Sequence, residues 1–306
     1  MTTLDIVIVN WNSGKQLKEC LDSIKDVKCT SFKVDKVVVV DNKSIDNSID
    51  LLNKNDYEYN LCIIKNEFNA GFGKACNQGA AKCKSEYLLF LNPDTKLFKD
   101  SLNGIMSFCQ EQGQDLGVTG IQLVDEEGHV ARTCRYFPKK ADRLWKILGL
   151  TRVFPNLSNE MLTWDHNDLK EVEQIMGAFF IVRNKVFKEL KGFDERFFVY
   201  YEEVDLCKRI KDRGYKNLFY PNSQAFHQGG GTSNQVKDMR LFYSLRSWLK
   251  YEEKHNGKFA ALMALIIEMF EYVSRFVYLI VKRRPQEIKQ LNKAYRLLLR
   301  NLKEVF

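Results

Sequence analysis

Short aliphatic runs alternate with helix-like stretches through the N-terminal part of the chain, and no other feature restricts the fold as much. Leu4–Val9, Val37–Val40, Leu61–Ile64 and Tyr87–Leu91 are apolar almost without interruption, as strands covered on both faces are. The stretches between them, at 14–26, 44–54 and 72–84, read as helices. This alternation predicts an α/β fold with a parallel, doubly wound sheet. Ligands of such sheets bind beyond the carboxyl ends of the strands. Polar residues stand at those ends: Asn10-Trp11-Asn12 after the first run, Asp41-Asn42 after the second, Asn92-Pro93-Asp94 after the fourth. Three polar strand ends describe one crevice.

With 306 residues the chain has room for one large or two modest domains. Its net charge of +8 favours an anionic partner, whether a phosphate-bearing substrate, a membrane surface or nucleic acid. Nucleic acid is disfavoured because the basic excess gathers in an amphipathic tail and not in an aromatic-lined groove. The eight cysteines form no C-x-x-C pair and read as reduced core thiols of a cytosolic protein. Leu4–Val9 starts too close to Met1 for a basic n-region, so no secretory signal is expected.

From 115 to 230 short strands (Gly117–Leu123, Ala178–Arg183, Asn217–Tyr220) mix with loops and a helix at 203–213, and 134–172 reads as a loop-rich insertion. Three helical patterns follow, at 236–255, 258–282 and 286–303. The second is rich in apolar residues, yet its longest uncharged stretch, Phe259–Ile267, is only nine residues. A charge at the centre of a span costs about 2.5–3.5 kcal/mol, so Glu268, Glu271 and Arg275 argue against crossing a bilayer. These three and Lys282 share one helical face, which suits a helix lying in the membrane interface. Lys282-Arg283-Arg284, Lys289, Lys293, Arg296 and Arg300 would each add roughly 1 kcal/mol beside anionic lipid. The competing expectation is a homo-oligomer interface or a buried helical cap.

Hard cations such as Mg²⁺ and Mn²⁺ take oxygen ligands and keep positions for water and phosphate, so one or two carboxylates suffice. Asp94, in the turn after Tyr87–Leu91, suits that chemistry, although Asn-Pro-Asp alone is only a turn signal. Trp11 suits stacking on a base or an ordinary core position. Asp41 suits a pyrimidine N–H or a cap through Asp-Asn-Lys-Ser. Asn69-Ala70-Gly71-Phe72-Gly73 opens a helix whose N-terminus favours phosphate, but its spacing is not that of a dinucleotide fingerprint. Glu202, Glu203 and Asp205 stand in the first turn of the 203–213 helix, where the helix dipole favours their ionised forms by about 0.3–1 kcal/mol each. An ionised carboxylate there suits a general base. His227 precedes a glycine run, Gly229–Gly231, and is a candidate metal or phosphate contact.

Taken in order, these motifs resemble the family 2 glycosyltransferases of GT-A fold. The matching residues are Ile6-Val7-Ile8-Val9-Asn10-Trp11-Asn12, Asp41-Asn42-Lys43-Ser44, Asn69 to Gly79, Leu91 to Thr95, Gly192 to Glu195, Tyr200 to Leu206, and His227. The resemblance covers about residues 4–232 and implies a mostly parallel central sheet flanked by helices, with a C-terminal helical extension. Two regions are therefore expected, 1–232 as the GT-A domain by the resemblance and 233–306, from its helical patterns, for membrane association or oligomerisation. The resemblance also implies inverting transfer of a sugar from a nucleotide-diphosphate donor to an acceptor hydroxyl. Carried over, Val9, Trp11, Asp41, Asn69, Gly71, Phe72, Asn77 and Asn92 would line the donor nucleotide, and Asp94 and His227 would hold a divalent cation, Mg or Mn. Glu203 would be the base, with Glu202 or Asp205 as alternatives. Asn92 stands where the family's Asp-x-Asp motif often has its first acid, a form similar to the rhamnosyltransferase-like branch.

The expectation is therefore a metal-dependent glycosyltransferase peripheral to the cytoplasmic membrane face, taking dTDP-rhamnose or a UDP-sugar. Its acceptor would be a glycan, lipid-linked, in bacterial surface polysaccharide synthesis. Two rivals are a non-catalytic membrane-associated assembly subunit of the same fold and a sugar-phosphate nucleotidyltransferase. The latter would want a glycine-rich, basic loop after the first strand, where Asn10 to Gly14 is followed only by Lys15.

Overall fold

A computed structural model describes residues 1–229 and 237–306. The glycine run after Gly229 and the expected domain boundary at 232/233 lie outside the described residues. Two compact units emerge. The first comprises Met1–Phe137, Trp164–Glu195 and the chain from Glu202 through the last strand; the second comprises Pro138–Thr163, Arg196–Tyr201 and the C-terminal helices.

In chain order the first unit contains β1 (Thr2–Asn10), α1 (Lys15–Lys25), β2 (Phe32–Asp41), β3 (Asn60–Lys65), α2 (Phe72–Ala80), β4 (Tyr87–Leu91), β5 (Thr95–Leu97), α3 (Asn103–Glu111), β6 (Leu116–Val124) and β7 (Cys134–Arg135). The second unit then contributes α4 (Lys140–Ile147) and α5 (Leu150–Val153). The first resumes with β8 (Lys170–Glu171), β9 (Gln174–Ile175), β10 (Phe179–Arg183), α6 (Asn184–Glu189), α7 (Glu202–Asp212) and β11 (Lys216–His227). The second ends with α8 (Lys237–Asn256), α9 (Lys258–Val281) and α10 (Pro285–Arg300).

The main sheet runs β3-β2-β1-β4-β10-β6-β11-β5, with β8 beside β11. β1 to β4 are mutually parallel, as the alternation predicts, whereas β10 is antiparallel to both β4 and β6, so the sheet is mixed. Alternation along β1 sends Leu4, Ile6 and Ile8 into one core with Leu17, Cys20, Leu21 and Ile24 of α1. The other face receives α2. A Cβ at Gly79 would stand 2.4 Å from Val7 Cγ1 and 3.2 Å from Val40 Cγ2, so only glycine lets α2 lie this close to the strands.

Three expectations change. No helix forms over 44–54; the segment is a series of turns ending in a 3₁₀ turn at Lys54–Asp56. Asp46 accepts from the Gly14 N–H and from Ser48, and Ser44 bonds Asp41, so local side-chain bonds outcompete the helix. The loop-rich insertion contains α4 and α5. The last strand passes through Pro221 and reaches His227, its register with β6 slipping between Tyr220 and Gln224. Such a bulge is where a strand tolerates proline.

Within the second unit α8 packs on α9 and α10 around the fully buried Trp248. The Arg143 guanidinium of α4 lies over the Trp248 ring at 5.0 Å and reaches Glu268 at 2.5 Å and Glu271 at 3.3 Å. Among the described residues no helix is long and apolar enough to cross a membrane.

Candidate active site

Asp41 closes β2 opposite Asn10, its register partner at the end of β1. Asn10 Nδ2 donates to Asp41 Oδ1 at 2.8 Å, to Ser48 Oγ at 2.8 Å and to Ser44 Oγ at 3.0 Å. Ser44 Oγ donates to the same carboxylate oxygen at 2.5 Å. Asp41 Oδ2 takes only a longer bond, 3.3 Å, from the Ser44 N–H. A carboxylate oxygen accepts two bonds, so Oδ2 retains capacity for an incoming donor while Oδ1 fixes the group's orientation. Val9 is buried in β1, and Trp11 stands half-buried just past its end.

Asn42 organises the loop before α2. Its Oδ1 accepts from Asn66 Nδ2 at 2.8 Å and the Ala70 N–H at 3.4 Å, while its Nδ2 donates to the Gly71 carbonyl at 3.1 Å. Asn69 Oδ1 accepts the Gly71 N–H at 3.0 Å, so this side chain shapes the turn. Gly71 has φ 89°, a conformation that favours glycine, and caps α2 ahead of Phe72.

Asn77, within α2, bonds the turn after α6. Its Nδ2 donates to the Phe193 carbonyl at 2.8 Å and its Oδ1 accepts the Phe193 N–H at 2.9 Å. Its Nδ2 also donates to Glu195 Oε1 at 3.2 Å, so its amide braces the Gly192–Glu195 turn. Gly192 completes that fit: at φ 71°, a Cβ there would lie 2.5 Å from Asn77 Oδ1.

The Asn92–Asp94 turn joins β4 to β5, and β5 pairs antiparallel with β11 so that His227 sits opposite Thr95. The Gln228 N–H donates to the Asp94 carbonyl at 3.2 Å. This register sets His227 Nε2 3.3 Å from Asp94 Oδ1, both side chains largely buried. His227 Nε2 is sealed from solvent and has no hydrogen-bond partner. A buried carboxylate and an imidazole nitrogen this close fit two ligands of one cation. Among the described residues no group of three His, Cys, Asp or Glu is gathered for a metal, so substrate phosphate and water would complete the shell.

Glu202, Glu203 and Asp205 occupy the first turn of α7. Tyr200 and Tyr201, just before it, both have positive φ, 67° and 72°, a strained entry of the kind that accompanies functional sites. Asp205 is fully buried, and its Oδ2 accepts from Arg209 Nε at 2.8 Å. Arg209 donates in turn to the Leu190 and Gly192 carbonyls at 2.7 and 2.8 Å. Asp205 therefore holds the 190–192 turn and is not available as a base.

The other two carboxylates differ in setting. Glu202 is buried against Gly73, where a Cβ would lie 3.4 Å from Glu202 Cβ. Glu203 is half-buried, with an Oε2 that is shielded and has no hydrogen-bond partner. Burial raises the pKa of both, and the neighbouring Glu203 charge raises Glu202 further, to well above the carboxylate range. At these two residues loss of solvation thus outweighs the helix dipole, against the expectation that the dipole favours their ionised forms.

One segment joins these parts. The Asn92 N–H donates to the Ala178 carbonyl at 3.0 Å, and a Cβ on the adjoining Gly177 would lie 3.8 Å from both Phe72 Cε1 and Glu203 Cβ. Asn92 at the start of the Asn92–Asp94 turn, Phe72 at the α2 N-terminus and Glu203 thus border residues 177–178, while Asn42 ties the α2 loop to the Asp41 strand end. Asn10, Asn42, Gly177 and Arg209 organise the site although none was a candidate site residue; Asn10 and Asn42 lie within the strand-end motifs, which were the available signal, and Gly177 and Arg209 lie in none.

Comparison with known proteins agrees with the geometry. Residues 5–190 match the family model described as Glycosyl transferase family 2. A Low-salt glycan biosynthesis hexosyltransferase Agl10 of Haloferax volcanii is 26% identical over 68% of this chain and 61% of its own length. The chain thus spans less than two thirds of that relative. An N-acetylglucosaminyl-diphospho-decaprenol L-rhamnosyltransferase of Mycobacterium tuberculosis is 22% identical over 83% of this chain and 85% of its own. Among solved structures, the mannosyltransferase PcManGT from Pyrobaculum calidifontis, in complex with GDP-Man and Mn²⁺, superposes with a TM-score of 0.58 at 12% identity. That match covers 98% of this chain and 86% of that one, a likeness of fold alone.

Proposed function

This chain belongs to glycosyl transferase family 2, and from that membership we infer an inverting, metal-dependent sugar transfer from a nucleotide-diphosphate donor to a glycan hydroxyl. The observation that carries this reading is the Asp94–His227 pair, 3.3 Å apart and largely buried, and Glu203 adds a shielded carboxylate oxygen without a hydrogen-bond partner. Asp41 Oδ2 would accept a pyrimidine N–H, with Trp11 beside the base and the N-terminus of α2 near the phosphates.

Glu203 is the better base of the adjacent pair because its side chain is partly exposed whereas Glu202 is buried against Gly73. In its ionised form it takes the proton of the acceptor hydroxyl as that oxygen bonds to the anomeric carbon. The bond from that carbon to the diphosphate oxygen breaks on the opposite side, which inverts the configuration. A divalent cation, Mg or Mn, held by Asp94 and His227 would offset the charge gathering on the departing diphosphate.

The mycobacterial relative, an L-rhamnosyltransferase acting on a decaprenol-linked sugar, supports rhamnose as the sugar and a lipid-linked glycan as acceptor. The donor would then be dTDP-rhamnose in preference to a UDP-sugar, in surface polysaccharide synthesis at the cytoplasmic membrane face. Residues 1–232 would carry the transfer and 233–306 would attach the enzyme to membrane or to a second copy. Incubation with a panel of nucleotide sugars, measuring released nucleotide diphosphate, tests this. One donor should be consumed in an acceptor-dependent way and Glu203→Gln should stop it; no release from any donor would refute the reading.

A further inference from the structure

Helix α9 is amphipathic in the reverse sense. Ala260, Ala261, Ala264, Ile267 and Leu279 face inward together with Glu268, and Glu268 and Glu271 are spent on Arg143. The large apolar side chains point out. Phe259, Met263, Ile266, Phe270, Val273 and Val277 are all exposed, and at 3.6 residues per turn they fall within an arc of about 100°. Phe259 is 76% exposed, Phe270 63% and Val277 53%, and the 24-residue helix is about 36 Å long. Scattered surface apolar residues need no explanation, but a continuous stripe of this length marks an interaction surface.

We propose that this outward face of α9 is a bilayer-docking surface for anionic lipid. Charge decides the occupant. The stripe begins beside Lys258 and ends at Lys282, Arg283 and Arg284, all exposed. A second copy laid along α9 would bring these cations against their own kind in either direction, because an antiparallel pairing sets Lys258 against the other copy's Lys282–Arg284 cluster. An anionic lipid surface attracts both ends while its acyl boundary takes the phenylalanines. The proposal deepens, and rests on, the membrane location inferred above, and it names the face that makes the contact.

Flotation of the full chain with vesicles of phosphatidylcholine plus phosphatidylglycerol, and with phosphatidylcholine alone, tests it. The wild type should float with the mixed vesicles and much less with the neutral ones, and added salt should weaken the binding. Phe259→Ser with Phe270→Ser should lower vesicle binding at least about tenfold, since each exposed ring otherwise enters an apolar phase. Both positions are exposed, so circular dichroism should be unchanged. Equal flotation of the double variant, or no flotation of the wild type, overturns the proposal, as does a stable dimer in sedimentation velocity that the double variant dissolves. Release of nucleotide diphosphate with a water-soluble acceptor reads the transfer activity separately, so a failed docking face and a failed transferase assignment give different results.

Discussion

His227 Nε2 lies 3.3 Å from Asp94 Oδ1 because the antiparallel β5–β11 pair places His227 opposite Thr95, one residue beyond the aspartate. Residues 133 positions apart are thus brought together by backbone register and not by a local motif. Asp94→Ala and His227→Ala should each lower metal-dependent turnover by about a hundredfold or more, since a bound cation supplies several kcal/mol. Excess Mn²⁺ should restore the histidine variant further than the aspartate variant, which loses an anionic ligand. Steady-state assays across a Mn²⁺ series check both.

Glu203→Gln should reduce transfer by about 10²–10⁴-fold while nucleotide binding persists, the signature of a lost base. Asp205→Asn should behave differently. Its carboxylate pairs with Arg209 in full burial, so its loss should cost about 3–5 kcal/mol of stability, read by urea denaturation. Activity of the folded fraction should survive.

Burial raises the pKa of Glu203, and a base works only when ionised. The sign is therefore a rate that climbs with pH, on a limb lying above the ordinary glutamate range. A pH profile of kcat/KM should show that limb in the wild type and lose it in Glu203→Gln.

Glu268 gives a stability counterpart. Desolvation raises its pKa from 4.5 to about 7, against the attraction of Arg143, with Glu271 adding to the rise. The folded state then holds a proton that the unfolded chain releases, so stability is greatest below pH 4.5 as far as this group is concerned and falls as pH climbs toward 7. Melting curves across that window should show the decline, and Glu268→Gln should flatten it.

Strands β1, β2 and β4 were legible because burial on both faces demands unbroken aliphatic runs, and Asn10, Asp41 and Asn92 could be read directly off their ends. The 44–54 segment misled because its spacing is helical while Ser44, Asp46 and Ser48 prefer bonds to neighbouring backbone and side chains. Pro221 hid the continuation of β11 and with it the route that delivers His227. Helix α4 was missed because its anchors, Glu252 and Glu268, lie more than a hundred residues downstream. The same distance explains α9: its charged face looked destined for water or headgroups until Arg143 arrived to receive it. The raised pKa of Glu202 and Glu203 was out of reach for the same reason, since the residues packed near them, Gly73 and Gly177 among them, come from other parts of the chain.

Titration calorimetry of the full chain with dTDP and with UDP, in the presence and absence of Mn²⁺, probes the shared donor site most directly. One of the two diphosphates should bind only when Mn²⁺ is present, and Asp41→Ala and Asp94→Ala should each weaken that binding. Nucleotide binding that ignores both the metal and the Asp94→Ala change would contradict the account.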